Sequence, residues 1–390
     1  MAGYLMNMGN WKSIESCVNI GIYSTRFPKQ KVAYFSIAKE ATFADYLSMK
    51  PGDNIYFFNS RIIYGIGELV DIQGDCKFLS HIGADLPKNL SEMNLEEARP
   101  LLPYDQDYNR CFCVFKPSPL FFTEGVDMDE ALNSNPRAFR ILRAMWKVSF
   151  IKMGDEENKA LYDIILKRNE DNLINNKNYL PHNSSFIEKL EHTDLRPYHF
   201  HCKNILKAVD SESGWVGHEM ALEAAVVDTL ATNKNTVLGE WDYISHQVIA
   251  SPFKPIDYMD KIDVFGYRYI KGYKTKSKFL IIELKKDNAS KEVIWQVMKY
   301  VDWVRKEYAN DDYGMIEAFV VAYGFPDDVI EERNKWAVRQ YITGLRPVKH
   351  ATWTNLRLVQ YRSINGELTL EEVAPIQMTM QGRSAEHDGF

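Results

Sequence analysis

What the chain lacks narrows its class first. No stretch approaches the ~18–20 consecutive apolar residues that span a bilayer, so no membrane association is expected. The opening MAGYLMNMGNWKSIESC has no charged segment followed by a continuous apolar run, so it does not read as a secretory signal. A cytoplasmic location is the expectation. Cysteine is sparse and odd in number: five, at positions 17, 76, 111, 113 and 202. That excludes a regular disulfide framework and suits free thiols in a reducing compartment. Cys111 and Cys113 are spaced more tightly than a zinc-binding pair, and His199, His201 and Cys202 have no second cluster at ligand spacing nearby. There is no internal repeat of roughly 20–50 residues and no low-complexity tract. Basic residues are not in excess either: 47 Lys and Arg against 53 Asp and Glu leave a formal charge of −6. A basic surface throughout is excluded, whereas a local basic site is not.

What is present suggests an α/β (α+β) multidomain protein. The 390 residues exceed the ~250–300 at which one core stops growing. Residues 1–125 carry short β-like runs, Val18–Tyr23, Val32–Ile37, Asn54–Phe58, Ile62–Val70 and Cys111–Phe115, punctuated by turns such as Lys50-Pro51-Gly52-Asp53. A small curved sheet or barrel is expected there. Residues 126–205 read as a helical connector, with apolar three- and four-residue steps in Phe139–Met145 and Leu161–Leu166 and a loop over Asn172–Asn183. Residues 206–380 predict a helix over Gly217–Leu230, strands over His246–Ala250, Lys261–Tyr267 and Phe279–Lys285, a helix over Lys291–Tyr308, a strand over Ile316–Tyr323, and a helix over Asp327–Tyr341. A closing hairpin is expected about Asn365-Gly366, since both central residues of a type I′ turn need positive φ. Residues 381–390 read as a disordered tail.

The informative chemistry lies in Lys261-Ile-Asp-Val-Phe-Gly266 and Phe279-Leu-Ile-Ile-Glu-Leu-Lys285. Glu283 ends an apolar run of the kind found in a strand buried on both faces. A carboxylate there costs several kcal/mol unless a partner or metal compensates, roughly as for any buried charge. Strand alternation puts Glu283 and Lys285 on one face and sends the Leu284 side chain into the core. Asp263, on the preceding strand, stands beside Glu283 if a hairpin joins the two. Two carboxylates and an ammonium on one sheet face suit Mg²⁺, with Mn²⁺ expected to substitute. Lys285 would orient or help activate water and offset negative charge. Glu219 and Glu223, four apart on the preceding helix, are each candidates to complete the metal set, with Glu223 preferred. Asp263, Glu283, Leu284 and Glu223 make up the expected metal set. Gln296 and Tyr300 share a face of the following helix and are added to the catalytic group. The blander alternative is a surface ion pair beside a hairpin.

That order of parts, a Glu helix, an Asp strand, a Glu-Leu-Lys strand and a Gln-x-x-x-Tyr helix, resembles the PD-(D/E)XK nuclease superfamily over about Val216 to Tyr323. Within it, Ile282-Glu-Leu-Lys-Lys and Gln296-Val-Met-Lys-Tyr300 are similar to RecB-like and mismatch-endonuclease-like members and to Shedu antiphage nucleases. The resemblance implies an αβββαβ core, metal-dependent DNA cleavage in defence or restriction, and assembly as a homo-oligomer, dimer or tetramer. Ile262 stands where the superfamily name has proline, a residue that packs rather than reacts. A repair nuclease for mismatched or branched DNA, a non-catalytic nucleic-acid-binding module and an RNA-processing protein remain alternatives.

From Arg268 to Lys306 there are eleven Lys or Arg and four Asp or Glu, a local charge of +7. Arg268, Lys271, Lys274, Lys276, Lys278, Lys286 and Lys291 are therefore expected to contact DNA phosphates, and Tyr267, Tyr269 and Tyr273 to stack on bases. In the first half, the run from Met49 to Glu68 resembles PUA, EVE and ASCH-like small barrels. That resemblance implies an aromatic cage for a modified base, for which Trp11, Tyr23, Phe58 and Tyr64 are the candidates.

Overall fold

Ile14 and Val18, four residues apart, are the buried face of the first helix, α1 (Trp11–Ile20). Asn10 caps its start by accepting from the Ser13 amide, and Gly21, at φ 71°, closes its end. These signals override the β-like reading of Val18–Tyr23: the helix runs to Ile20 and the strand begins at Ile22. The computed structural model describes residues 1–27, 34–87, 93–102, 109–139, 150–232, 236–250 and 260–373. The expected strand over Val32–Ile37 does not form in its described part: residues 34–36 are a bend and irregular chain, and Ser36 precedes a helix that starts at Ile37. The expected helix over Phe139–Met145 lies largely outside the described residues, and the expected tail wholly so.

The N-terminal strands are β1 (Gly3–Asn7), β2 (Ile22–Phe27), β3 (Asn54–Asn59), β4 (Ile62–Leu69), β5 (Lys77–Leu79), β6 (Asn109–Pro117), β7 (Val126–Asp127) and β8 (Phe150–Met153). They form one mixed sheet in the order β2-β6-β4-β3-β1-β8, with β5 on β6 and β7 on β4. The sheet curls until its two end strands meet through the rings of Tyr23 and Phe150, 6.4 Å apart. No backbone pairing closes it into a barrel among the described residues. Because β8 pairs antiparallel with β1, a sheet begun before residue 125 is completed after it. Helix α2 (Ile37–Leu47) precedes β3, and the short helices α3 (Leu95–Ala98) and α4 (Met128–Ser134) lie in connections. After β8 come α5 (Asp155–Arg168), α6 (Glu170–Ile174), α7 (Ser185–Glu191) and α8 (Cys202–Lys207). Part of the expected Asn172–Asn183 loop is thus the end of α6.

The second half follows the expected order. Helix α9 (Glu219–Thr232) leads into β9 (Tyr243–Ile249), β10 (Lys261–Tyr269), β11 (Lys276–Asn288), α10 (Lys291–Glu307) and β12 (Ile316–Gly324). Then come α11 (Asp327–Trp336), β13 (Arg339–Leu345), β14 (Val348–Trp353), β15 (Leu356–Ile364) and β16 (Glu367–Val373). The six-stranded sheet runs β16-β15-β12-β11-β10-β9, antiparallel at both ends and parallel across β11-β12-β15. The helix expected to reach Tyr341 stops at Trp336, and β13 pairs with β14 as a separate ribbon. Asn365 and Gly366 both take positive φ, 53° and 78°. A Cβ on Gly366 would lie 2.2 Å from the Lys203 carbonyl oxygen, so the turn admits glycine only.

The phase of β11 explains its burial on both faces. Leu280, Ile282 and Leu284 pack in a core that contains α9 and extends through α2 into the N-terminal sheet, while Phe279 and Ile281 pack in a second core with α10. Glu283 follows the phase of Phe279 and Ile281, so it lies where a carboxylate finds little water.

Candidate active site

Three strands bring three polar side chains into a row. Val264 stands opposite Ile282 on β11, which brings Asp263 beside Glu283. On the other side, Ile262 pairs with Val248 and Val264 with His246, leaving Asp263 across from Gln247. Gln247 takes a left-handed φ of 53°. Asp263 Oδ2 accepts from the Leu284 amide at 2.8 Å, and Oδ1 accepts from Gln247 Nε2 at 3.1 Å. The same Gln247 nitrogen donates to Glu223 Oε1 and Oε2, at 3.2 and 3.0 Å. Helix α9 thereby delivers its carboxylate to the strand pair. Glu223, Asp263 and Glu283 are all buried, at 2%, 8% and 1% exposure.

Lys285 Nζ donates to Glu283 Oε1 at 2.8 Å and lies 3.8 Å from Glu219 Oε1. Glu219 is more exposed, and its other oxygen accepts from the Lys286 amide at 3.1 Å. Both helix glutamates therefore reach the neighbourhood, but Glu223 is the one joined to Asp263. Gln296 Nε2 donates to Tyr300 Oη at 2.9 Å, so these two residues first satisfy each other. The Leu284 side chain is fully buried, so this residue offers an ion only its main-chain carbonyl oxygen.

Burial pushes the Asp263 carboxyl well above the usual range, and the Glu223 and Glu283 charges push it further. Burial likewise raises Glu283, although Lys285 pulls it back. For Lys285, burial works downward but the Glu283 carboxylate outweighs it, so the ammonium is held above its ordinary value. Tyr300 is raised, first by burial and then by Glu283 and Asp263.

Sequence reasoning missed two residues here. His246 Nε2 lies 3.2 Å from Glu223 Oε2, and its Nδ1 is 3.7 Å from Asp45 Oδ1. Burial lowers His246, but Asp45 and Glu223 outweigh it and hold the imidazole up at about 9. Gln247 is the other. The polar run Ser245-His246-Gln247 between Tyr243-Ile244 and Val248-Ile249 marks the place in the sequence, but it gives neither residue a role.

A metal fits the donor set in kind. Carboxylate oxygens are the ligands that Mg²⁺ and Mn²⁺ prefer, and buried Glu283 Oε2 has no hydrogen-bond partner among the described residues. The spacing is wider than coordination requires. Among the described residues, no group of three or more His, Cys, Asp or Glu is drawn together tightly enough to hold an ion. Gln247 Nε2 lies between Glu223 and Asp263, 3.0–3.2 Å from their oxygens, so the two carboxylates are bridged by an amide rather than drawn directly together. His199, His201 and Cys202 form no such group either; His199 faces Asp75 at 3.4 Å.

The expected DNA contacts are less free than their charges suggest. Arg268 pairs with Glu317, Lys276 with Asp155 and Glu156, Lys286 with Asp287, and Lys291 with Asp328. Lys278 donates to the Gly314 carbonyl. Lys271 and Lys274 are exposed and ion-pair with no described residue. The β10–β11 turn that carries them is six residues along the strands from Asp263, about 20 Å at ~3.3 Å per residue. An antiparallel hairpin necessarily puts its turn at the end away from Asp263, so this part of the basic patch is not adjacent to the acids. Tyr267 is buried, and both it and Tyr269 donate to Asp155, at 2.6 and 2.8 Å; Tyr273 is exposed.

The four aromatics of the first half do not form one cage. Trp11 and Tyr64 meet edge to face at 4.9 Å, and Tyr23 is buried against Phe57 and Phe150. Phe58 follows Phe57 in β3, and strand alternation turns it toward a different core, that of Leu5 and Tyr56.

No family model and no curated protein matches this chain. A solved structure that it matches is a repair endonuclease from Pyrococcus abyssi, at 22% identity over 24% of this chain and 36% of that one, with a TM-score of 0.16. The match thus spans well under two thirds of that protein. No helix among the described residues is long and apolar enough to cross a membrane.

Proposed function

We propose that this chain is a Mg²⁺-dependent deoxyribonuclease whose second half is a PD-(D/E)XK-type core, acting in antiphage defence or restriction. The observation that carries the reading is the convergence of three buried carboxylates, from one helix and two strands, beside a single ammonium. Such a cluster is costly to bury and does little for stability by itself; raised carboxyls such as Asp263 and Glu283 concentrate at functional sites. Glu223, Asp263 and Glu283 would hold the ion, Leu284 adding only its carbonyl oxygen. The bound ion supplies charge that polarises a phosphodiester and acidifies water.

The chain's own groups then divide the work. Lys285, held protonated, positions a water by donating to it and offsets charge developing on the phosphate; a protonated amine cannot serve as the base. Glu283 fixes the Lys285 ammonium through their 2.8 Å contact. Tyr300 and Gln296 line the α10 side. Lys271 and Lys274 would contact the DNA backbone away from the reacting phosphate, and the first half would select the DNA. Assembly as a dimer or tetramer belongs to the same reading.

Lys285→Ala tests it. The variant should fold and bind DNA as the parent does while losing Mg²⁺-dependent cleavage by about 10²-fold or more. Cleavage at the parental rate would remove the assignment.

A further inference from the structure

Helix α2 of the first half packs along α9, the helix that carries Glu223. Two of its acids face inward. Glu40, fully buried, accepts from His218 Nδ1 at 2.8 Å, and His218 immediately precedes Glu219, the first residue of α9. Asp45, also buried, stands 3.7 Å from His246 Nδ1, an ion-pair distance rather than a hydrogen bond. The other side of that imidazole reaches Glu223 Oε2 at 3.2 Å and the Met220 sulfur at 3.4 Å. Neither Asp45 Oδ1 nor His246 Nδ1 has a hydrogen-bond partner among the described residues. Each of these buried atoms therefore depends on the other for compensation.

We infer that Asp45 and His246 are positioning residues through which α2 sets the placement of Glu223. The inference rests on the reading of Glu223 as a metal-holding carboxylate. Gln247 and His246 approach Glu223 from neighbouring positions of β9, so its two oxygens are fixed by one amide and one imidazole. The amide belongs to the second half alone. The imidazole is backed by a carboxylate from the first half, so a displacement of α2 moves the partner of His246 and, through it, Glu223. Outer partners of this kind orient a ligand and commonly change metal affinity by about 10–100-fold when removed. The Glu40–His218 contact anchors the start of the same helix, so the first half grips α9 at its first turn and, through His246, at Glu223.

The test uses the full-length chain and two readouts. Calorimetric titration with Mn²⁺ should show affinity weakened about tenfold or more in Asp45→Asn and in His246→Gln. Cleavage by these variants should return to within a few-fold of the parent at saturating metal. Thermal unfolding of metal-free Asp45→Asn, Glu223→Gln and the double variant supplies the second readout. The loss in the double variant should fall well short of the sum of the single losses, because the two acids share His246. Parental Mn²⁺ affinity in Asp45→Asn, or additive losses in the cycle, would overturn the inference. If Mn²⁺ binding proves too weak to titrate, or Asp45→Asn fails to fold, the cycle is run with Asp45→Glu and decides alone. A chain that cleaves no DNA yet shows the coupling loses the nuclease reading and keeps the relay; one that cleaves with no coupling does the reverse.

Discussion

Gln247 is held against Asp263 by adjacent strands, with its amide nitrogen 3.1 Å from Oδ1 and 3.2 and 3.0 Å from the two oxygens of Glu223. One donor group thus serves three acceptor atoms on two buried acids. Replacing it with alanine leaves Glu223 and Asp263 facing each other without a donor between them. Metal-free Gln247→Ala should lose about 1–3 kcal/mol of stability, the usual cost of an unsatisfied buried acceptor. A cation should then stabilise the variant more than the parent, since it no longer has an amide to displace. Melting curves with and without millimolar Mn²⁺ measure both effects. An equal Mn²⁺ shift in the two proteins would mean that the amide does not stand where the ion binds.

The acids and the lysine were legible because strand alternation and an apolar run ending in Glu-Leu-Lys are local signals. Gln247 was not, since its importance comes from a cross-strand register and a left-handed φ that no spacing rule encodes. Helix α2 was missed for a related reason. Val32-Ala-Tyr-Phe-Ser-Ile37 has the composition of a strand, and the helix from Ile37 buries two acids, Glu40 and Asp45, that a hydrophobic pattern counts as solvent-facing. Their partners, His218 and His246, are about two hundred residues away. The basic hairpin shows why composition does not give placement: Lys271 and Lys274 are close to Asp263 in sequence, but the antiparallel pairing of β10 with β11 sends their turn the other way.

His81 gives a pH dependence whose sign can be worked out. It is 1% exposed, its Nδ1 lies 3.0 Å from Ser80 Oγ, and its Nε2 has no partner among the described residues. Burial pushes the imidazole down to about 4, below its ordinary 6.5. Between those values the unfolded chain binds a proton that the folded chain refuses, so stability falls as pH drops from 6.5 toward 4. The loss contributed by this residue is at most about 3 kcal/mol. Denaturant unfolding at several pH values should show a shallower acid slope in His81→Asn than in the parent. Parallel slopes would assign the acid sensitivity to other groups.

The turn of the β10–β11 hairpin makes the last prediction. Lys271 and Lys274 are exposed without an ion-pair partner among the described residues, whereas their basic neighbours Arg268 and Lys276 are committed to Glu317, Asp155 and Glu156. If duplex DNA crosses the acids, a turn about 20 Å away reaches phosphates roughly half a helical turn along. Lys271→Ala/Lys274→Ala should then weaken binding regardless of sequence and reduce the salt slope of log K by about 1.8, at ~0.9 per phosphate contact. The reacting phosphate is elsewhere, so the rate at saturating DNA should stay at the parental value. Fluorescence anisotropy across a series of salt concentrations, paired with single-turnover cleavage, separates the two terms. An unchanged salt slope would place the DNA on another face, and a fall in the saturated rate would mean that the turn folds back toward the acids when DNA binds.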